Sequence, residues 1–173
     1  MVEVSCEAAG ASLTAATSLI LEAQRSAEPA AWIEAGGSSF YPPDVAASGV
    51  DLNGLIVVRT DATSKAARAA DHLLRSGGFG LVVMDLSHDA NLPMSAQSRL
   101  SGLANAHSTA VVCLTRKRSD ALSIGSLVSI RGETTSEKHA FDHFAWEIHV
   151  IKDKRRGPGW FHAGVCRGPE GLH

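Results

Sequence analysis

Short apolar runs recur along the chain, and longer segments of helical periodicity lie between them. Val2 to Ser5, Ala30 to Glu34 ("AAWIE", introduced by Pro29), Leu55 to Arg59 ("LIVVR"), Phe79 to Asp85 ("FGLVVMD") and Thr109 to Leu114 ("TAVVCL") each predict a strand. Ala11 to Ser26, Ala62 to Ser76 and Ser95 to His107 predict helices, because apolar residues such as Ala66, Ala69, Ala70, Leu73 and Leu74 fall on one face. Gly77 supplies a stop for the second of these helices. Continuous apolar strands separated by helices predict an α/β fold whose parallel sheet is covered by helices on both faces.

The texture changes after Leu114. "SIGSLVSIRGE" and "FAWEIHVIKDK" are strand-like runs joined by the polar connection "TTSEKHAFDH", and "GWFHAGVC" follows the turn "RRGPG". With no helical crossover between them, these neighbours are expected to pair antiparallel. The result is a mixed sheet, parallel at its centre and antiparallel on the C-terminal side. Residues 1–167 are expected to form a single domain, and 168–173 a loose tail.

Composition narrows this picture. Of 173 residues, 45% are hydrophobic and 20% charged, enough core material for one globular domain. The formal net charge of −2 means that any nucleic-acid affinity must come from a local basic patch. Cys6, Cys113 and Cys166 stand far apart without metal-ligand spacing, which fits reduced thiols. No basic-then-apolar leader and no bilayer-length apolar run occurs, so a cytoplasmic protein without membrane contact is expected.

Residues 2–24, "VEVSCEAAGASLTAATSLILEAQ", have the outline of a phosphate-binding loop: a short strand, a turn of small residues, then a helix. A working loop reads GxxxxGK[ST]; its glycines let backbone N–H groups wrap phosphate, its lysine neutralises the β and γ oxygens, and its hydroxyl holds Mg²⁺. The matching stretch runs from Ser5 through Cys6, Glu7, Ala8, Ala9, Gly10 and Ala11 to Ser12. Gly10 and Ser12 keep the second glycine and the hydroxyl. Ser5 replaces the first glycine and Ala11 the lysine, removing a charge-assisted contact worth about 1.5 to 3 kcal/mol. No cofactor is therefore expected, neither ATP nor Mg²⁺. If only the clamp were missing, Ser5→Gly with Ala11→Lys would recover detectable binding without hydrolysis.

The order of elements, together with "VEV", "AAWIEAGG", "SGVDLNGLIVVRTD", "LLRSGGFGLVVMD", "SLVSIR" and "VIKDKRRGPG", resembles the ATPase core of the bacterial recombinase RecA over nearly the whole chain. Within that superfamily it looks closest to the RecA-like ImuA proteins of the damage-inducible mutagenesis cassette. The resemblance implies a RecA-like P-loop core. It places the water-activating acid of recombinases at Gly36, with the acid two positions earlier kept as Glu34. It also places the Walker B aspartate at Asp85, although an aspartate ending a buried strand serves equally well as a cap. Hydrolysis needs base, metal and phosphate clamp together, so a pseudo-ATPase is expected.

The segments matching the recombinase DNA loops, "LSHDANLPM" and "TRKRSDAL", are short, and the chain begins at the first core strand without an N-terminal tether. Strand exchange and a RecA-type filament are not expected, while another form of homo-oligomer stays open. Basic residues gather in Arg116, Lys117 and Arg118 and in Lys152, Lys154, Arg155 and Arg156. The resemblance implies that Lys152 and Lys154 match lysines acting on a neighbour's nucleotide. With the nucleotide site eroded, an acidic protein surface is the more natural partner and DNA binding is weak or indirect; a solvated turn is the plain alternative.

Eight histidines, His139, His143, His149 and His162 among them, read as scattered surface groups, and no GxSxG elbow anchors a hydrolase. Trp32, Trp146 and Trp160 read as packing residues. The combined expectation is a non-catalytic adaptor of the bacterial DNA-damage response that binds a polymerase-like or RecA-family protein. Two alternatives remain: a composite ATPase using Lys152 or Lys154 in trans, and a regulator that binds the cellular recombinase.

Overall fold

The computed structural model of the chain describes residues 1–7, 11–37, 40–86, 90–138 and 143–167. In order these form β1 (Val2–Ser5), α1 (Ser12–Arg25), β2 (Ala30–Ala35), α2 (Pro42–Ala47), β3 (Leu55–Thr60), α3 (Thr63–Ser76), β4 (Leu81–Asp85), α4 (Met94–Ala106), β5 (Ala110–Thr115), β6 (Ile130–Lys138), β7 (His143–Asp153) and β8 (Phe161–Arg167). The strands make one eight-stranded sheet in the order β3-β2-β4-β5-β1-β6-β7-β8. From β3 to β6 every pair is parallel, whereas β6–β7 and β7–β8 are antiparallel. The mixed sheet is thus as the sequence predicts.

Helices cover both faces of the parallel part. Ala16 and Ile20 of α1 and Val45 of α2 pack on Trp32, Val83 and Val112. On the other face Ala66, Ala70 and Leu74 of α3 and Leu100 and Ala104 of α4 pack on Ile33, Val82, Met84 and Val111. The alternation of side chains along each strand sends successive residues to opposite covers, so the buried parallel strands are largely apolar, with Glu3, Ser5, Glu34 and Asp85 as buried exceptions.

Two elements depart from the sequence reading. The α2 helix was not predicted; its six residues open on two prolines, a signal for a first helical turn that is too short to show periodicity. The strand expected within "SIGSLVSIRGE" starts only at Ile130 and continues to Lys138, so the first half of the polar stretch expected to be a connection is paired with β7. Thr134 and Thr135 are β-branched and suit that pairing. Residues 116–129 instead run as a covering connection over the ends of β1, β6 and β7. The expected tail at 168–173 lies outside the described residues.

A carboxylate ties the two helices of one face together. Asp71 on α3 is held by Arg75 Nε at 2.9 Å and by both Nε and NH2 of Arg99 on α4. The Arg99 hydrogen bonds, ahead of those from Arg75, draw its pKa from 3.8 down to about 2. Because the folded-state value is the lower one, this stabilisation is complete above the unfolded value and is lost as pH falls through about 2. Urea midpoints of the parent chain are expected to fall across that window more steeply than those of Asp71→Asn; parallel curves would remove Asp71 from the acid response.

At the sheet centre Cys113 is fully buried, and burial first, then the nearby Glu3 carboxylate, push its thiol up to about 12. Cys166 is only half-buried. Alkylation at pH 8 is expected to mark Cys166 in the native protein and Cys113 only after unfolding. Native labelling of Cys113 would mean that the β1–β5 centre opens.

Candidate functional site

The C-terminal ends of parallel strands are where an open α/β sheet meets its ligands. Here those ends carry Cys6 and Glu7 after β1, Glu34 near the end of β2 and Asp85 at the end of β4. Glu34 and Asp85 lie opposite each other in the β2–β4 register, and Arg59 lies opposite Glu34 on β3. Glu34 is 2% exposed and its nearest cation is Arg59 Nε, at 3.4 Å. Asp85, the Walker B-like position, is buried beside it.

The described phosphate-loop positions are occupied by packing. Ala11 is 5% exposed and sits with Ala15 against Trp146 of β7. Ser12 is buried, and its hydroxyl lies 3.4 Å from Cys6 Sγ. Ser5, at the first-glycine position, donates its hydroxyl to the Gly132 carbonyl at 3.3 Å and accepts from Arg131 Nε at 3.3 Å. Glu7 is tied at 3.1 Å to Arg118. Gly10 lies outside the described residues.

The lost-base position has its own backbone reason. Gly36 takes φ +77°, in the left-handed region, and donates its N–H to Thr60 O at 2.9 Å. A glutamate there would be strained by roughly 1 to 2 kcal/mol. Gly36 and Gly37 line an open cavity of about 570 Å³ with Arg59, Thr60, Asp61 and Lys65.

The two basic groups turn out differently. Lys152 is half-buried, its Nζ 3.4 Å from Ser123 Oγ, and burial followed by repulsion from Lys154 lowers its pKa. Lys154 donates to Ser126 O at 2.6 Å. Both amines therefore turn onto the connection 116–129. Lys117 Nζ reaches Leu122 O at 3.4 Å, and Arg118 bonds Asp120 as well as Glu7. Arg116, Arg155 and Arg156 are exposed. Asp153 organises the turn by accepting the N–H groups of Arg155 at 2.7 Å and Arg156 at 3.1 Å and the Trp160 indole N–H at 3.1 Å, bonds that lower its pKa.

Sequence reasoning passed over Glu3 and Arg131, opposite each other on β1 and β6 and both buried. Glu3 accepts from Thr115 Oγ1 at 2.9 Å and from Ile124 N at 2.9 Å. Arg131 donates to the carbonyls of Ala121 and, at 2.6 Å, Arg118. Together they pin the connection 116–129 to the sheet beside a cavity of about 470 Å³ lined in part by Arg131 and Lys152. The only sequence signal was an ionisable residue at a strand position flanked by apolar ones.

Among the described residues no cluster of three or more histidine, cysteine or acidic side chains could hold a metal ion, and no helix is long and apolar enough to cross a membrane. His139 lies outside the described residues.

A parallel sheet with the first strand inside it, helices on both faces and an antiparallel C-terminal extension define an α/β fold, consistent with a RecA-like core. Among solved structures, the chain is similar to the flagellar accessory protein FlaH from Methanocaldococcus jannaschii, with a TM-score of 0.62 over 96% of this chain and 84% of that one, at 7% identity. That likeness is one of fold. No protein-family model matches the chain, and no curated protein matches it.

Proposed function

We propose that this RecA-like domain is a non-catalytic adaptor that works through protein contacts and neither binds nor hydrolyses ATP. The observation that carries the reading is the packing of two loop positions: Ala11 lies against Trp146, and the Ser12 hydroxyl is turned to Cys6. A phosphate would have to displace side chains already in van der Waals and hydrogen-bond contact. Titration calorimetry with Mg²⁺-ATP is expected to give no heat of specific binding. Micromolar affinity, or turnover abolished by Lys152→Ala, would overturn the reading and favour the composite ATPase. Against that composite site stand the positions of Lys152 and Lys154, whose amines engage Ser123 and Ser126 of their own chain.

The setting in a cytoplasmic bacterial DNA-damage response, with a polymerase-like or RecA-family partner, rests on the resemblance of "SGVDLNGLIVVRTD" and "VIKDKRRGPG" to ImuA-type proteins. Arg155 and Arg156, exposed beside Trp160, are the cations best placed to meet an acidic surface of such a partner. Charge reversal at both is expected to slow association with a purified partner and to flatten its salt dependence, leaving the fold unchanged. Unchanged association would reduce this turn to a solvated one.

A further inference from the structure

The connection 116–129 shelters the cavity of about 470 Å³ beside β6 and β7, and the adaptor reading makes no use of it. Ala121, Leu122 and Ile151 give it an apolar wall, and Ser123, Arg131 and Lys152 a polar one. Arg131 is already committed, with N–H groups donated to the Ser5 hydroxyl and to the carbonyls of Ala121 and Arg118. It brings positive charge to the cavity more than it brings free donors. Lys152 is different. An ammonium carries three N–H donors, and the contact this one makes is a single long approach of 3.4 Å to Ser123 Oγ. Among the described residues it forms no ion pair with a carboxylate. Glu3, the acid whose field reaches it, is spent on Thr115 Oγ1 and the Ile124 N–H. Burial, then repulsion from Lys154, with Arg131 adding to it, hold the Lys152 pKa down, and an anion set beside the amine would offset these costs.

Leu122 is a second and independent observation. Its side chain is 88% exposed although it lines the cavity. A lone exposed leucine needs no explanation; one at the margin of a cavity with an underused ammonium gives a ligand an apolar surface to cover. The volume falls in the range of small-molecule sites and exceeds what a bare inorganic ion would fill. We infer that this cavity binds a small organic carboxylate, with its head on Lys152 and the Ser123 hydroxyl and its apolar body against Leu122, Ala121 and Ile151. A single cation with donors to spare matches a singly charged head. The Ser123 hydroxyl, which accepts from Lys152, keeps its own hydrogen to donate to the second carboxylate oxygen.

Titration of the full chain with hexanoate at pH 7, followed by amide NMR shifts, is expected to move residues 119–126 and Lys152 with a dissociation constant of about 0.1 to 1 mM. Hexan-1-ol, which keeps the body without the charge, and inorganic phosphate, which keeps charge without the body, should each bind at least about tenfold more weakly. Lys152→Met is expected to weaken hexanoate by about tenfold or more, and Leu122→Ser, at a position too exposed to disturb the fold, by about threefold. Arg68→Met, the same charge change at an exposed site on α3, should alter neither. Absence of shifts at 119–126, hexanoate affinity indifferent to Lys152→Met or to Leu122→Ser, a loss equalled by Arg68→Met, or hexan-1-ol or phosphate binding as tightly as hexanoate, would each overturn the inference.

Discussion

Ala11→Lys is expected to destabilise the fold by about 2 to 3 kcal/mol and to add no affinity for Mg²⁺-ATP. From the sequence alone the same substitution, with Ser5→Gly, looked restorative, because a lysine is what the loop lacks. The packing reverses the sign. The Ala11 methyl lies in a small apolar cluster with Ala15 and Trp146, so a longer side chain must either displace the indole or bury an ammonium beside it. Ser5→Gly adds to the loss, since the Ser5 hydroxyl sits between Arg131 and the Gly132 carbonyl. Urea denaturation of the single and double variants, with calorimetry against Mg²⁺-ATP, checks both halves. Micromolar nucleotide binding with an unchanged midpoint would mean that the Ala11 side chain points into an open site.

Arg131→Met is the second large effect, expected at about 3 kcal/mol. The guanidinium is buried and serves the Ser5 hydroxyl and the carbonyls of Arg118 and Ala121, so its loss leaves all three acceptors without their donor. The damage should be local as well as global. Amide exchange over residues 118–127 is expected to accelerate before the sheet itself opens, because single contacts from Glu3, Glu7, Gln97, Lys152 and Lys154 then anchor that connection. Lys152→Met, which removes one long contact from a half-buried amine, should cost less than about 1 kcal/mol. Equal losses for Arg131→Met and Lys152→Met would show that the guanidinium does not hold the connection.

The difference between these substitutions marks what the sequence made legible. Five parallel strands, three helices and the antiparallel C-terminal strands could be read because strands buried on both faces are largely apolar, and runs such as "LVVM" and "TAVVCL" have few other uses. The six residues of α2 could not, since two turns carry no period. Nor could β6, where polar "TTSEK" gains its strand character from the partner across the hairpin. At the candidate site the missing lysine and the Gly36 position were visible as departures from a pattern. What replaced them was not: that Ala11 is roofed by a tryptophan 135 positions away, or that Ser5 is shared by Arg131, is long-range packing with no local signature.

The place of β1 in the sheet sets the order in which the molecule can be completed. Val2–Ser5 is synthesised well before both of its neighbours, residues 110–115 and 130–138. Glu3 waits for Thr115 and Ile124, 112 and 121 positions downstream. Until then β2, β3 and β4 can assemble with α3, while the earliest strand remains unpaired on both sides. Such non-local closure is slow, and exposed strands invite misassociation in the interval. Four residues in which glutamate and serine alternate with valine make a poor seed for aggregation, and the same two polar side chains later lock the strand in place. A ribosome stalled before residue 110 should therefore carry a nascent chain whose first strand is still open to protease, and one stalled well beyond residue 138 should not.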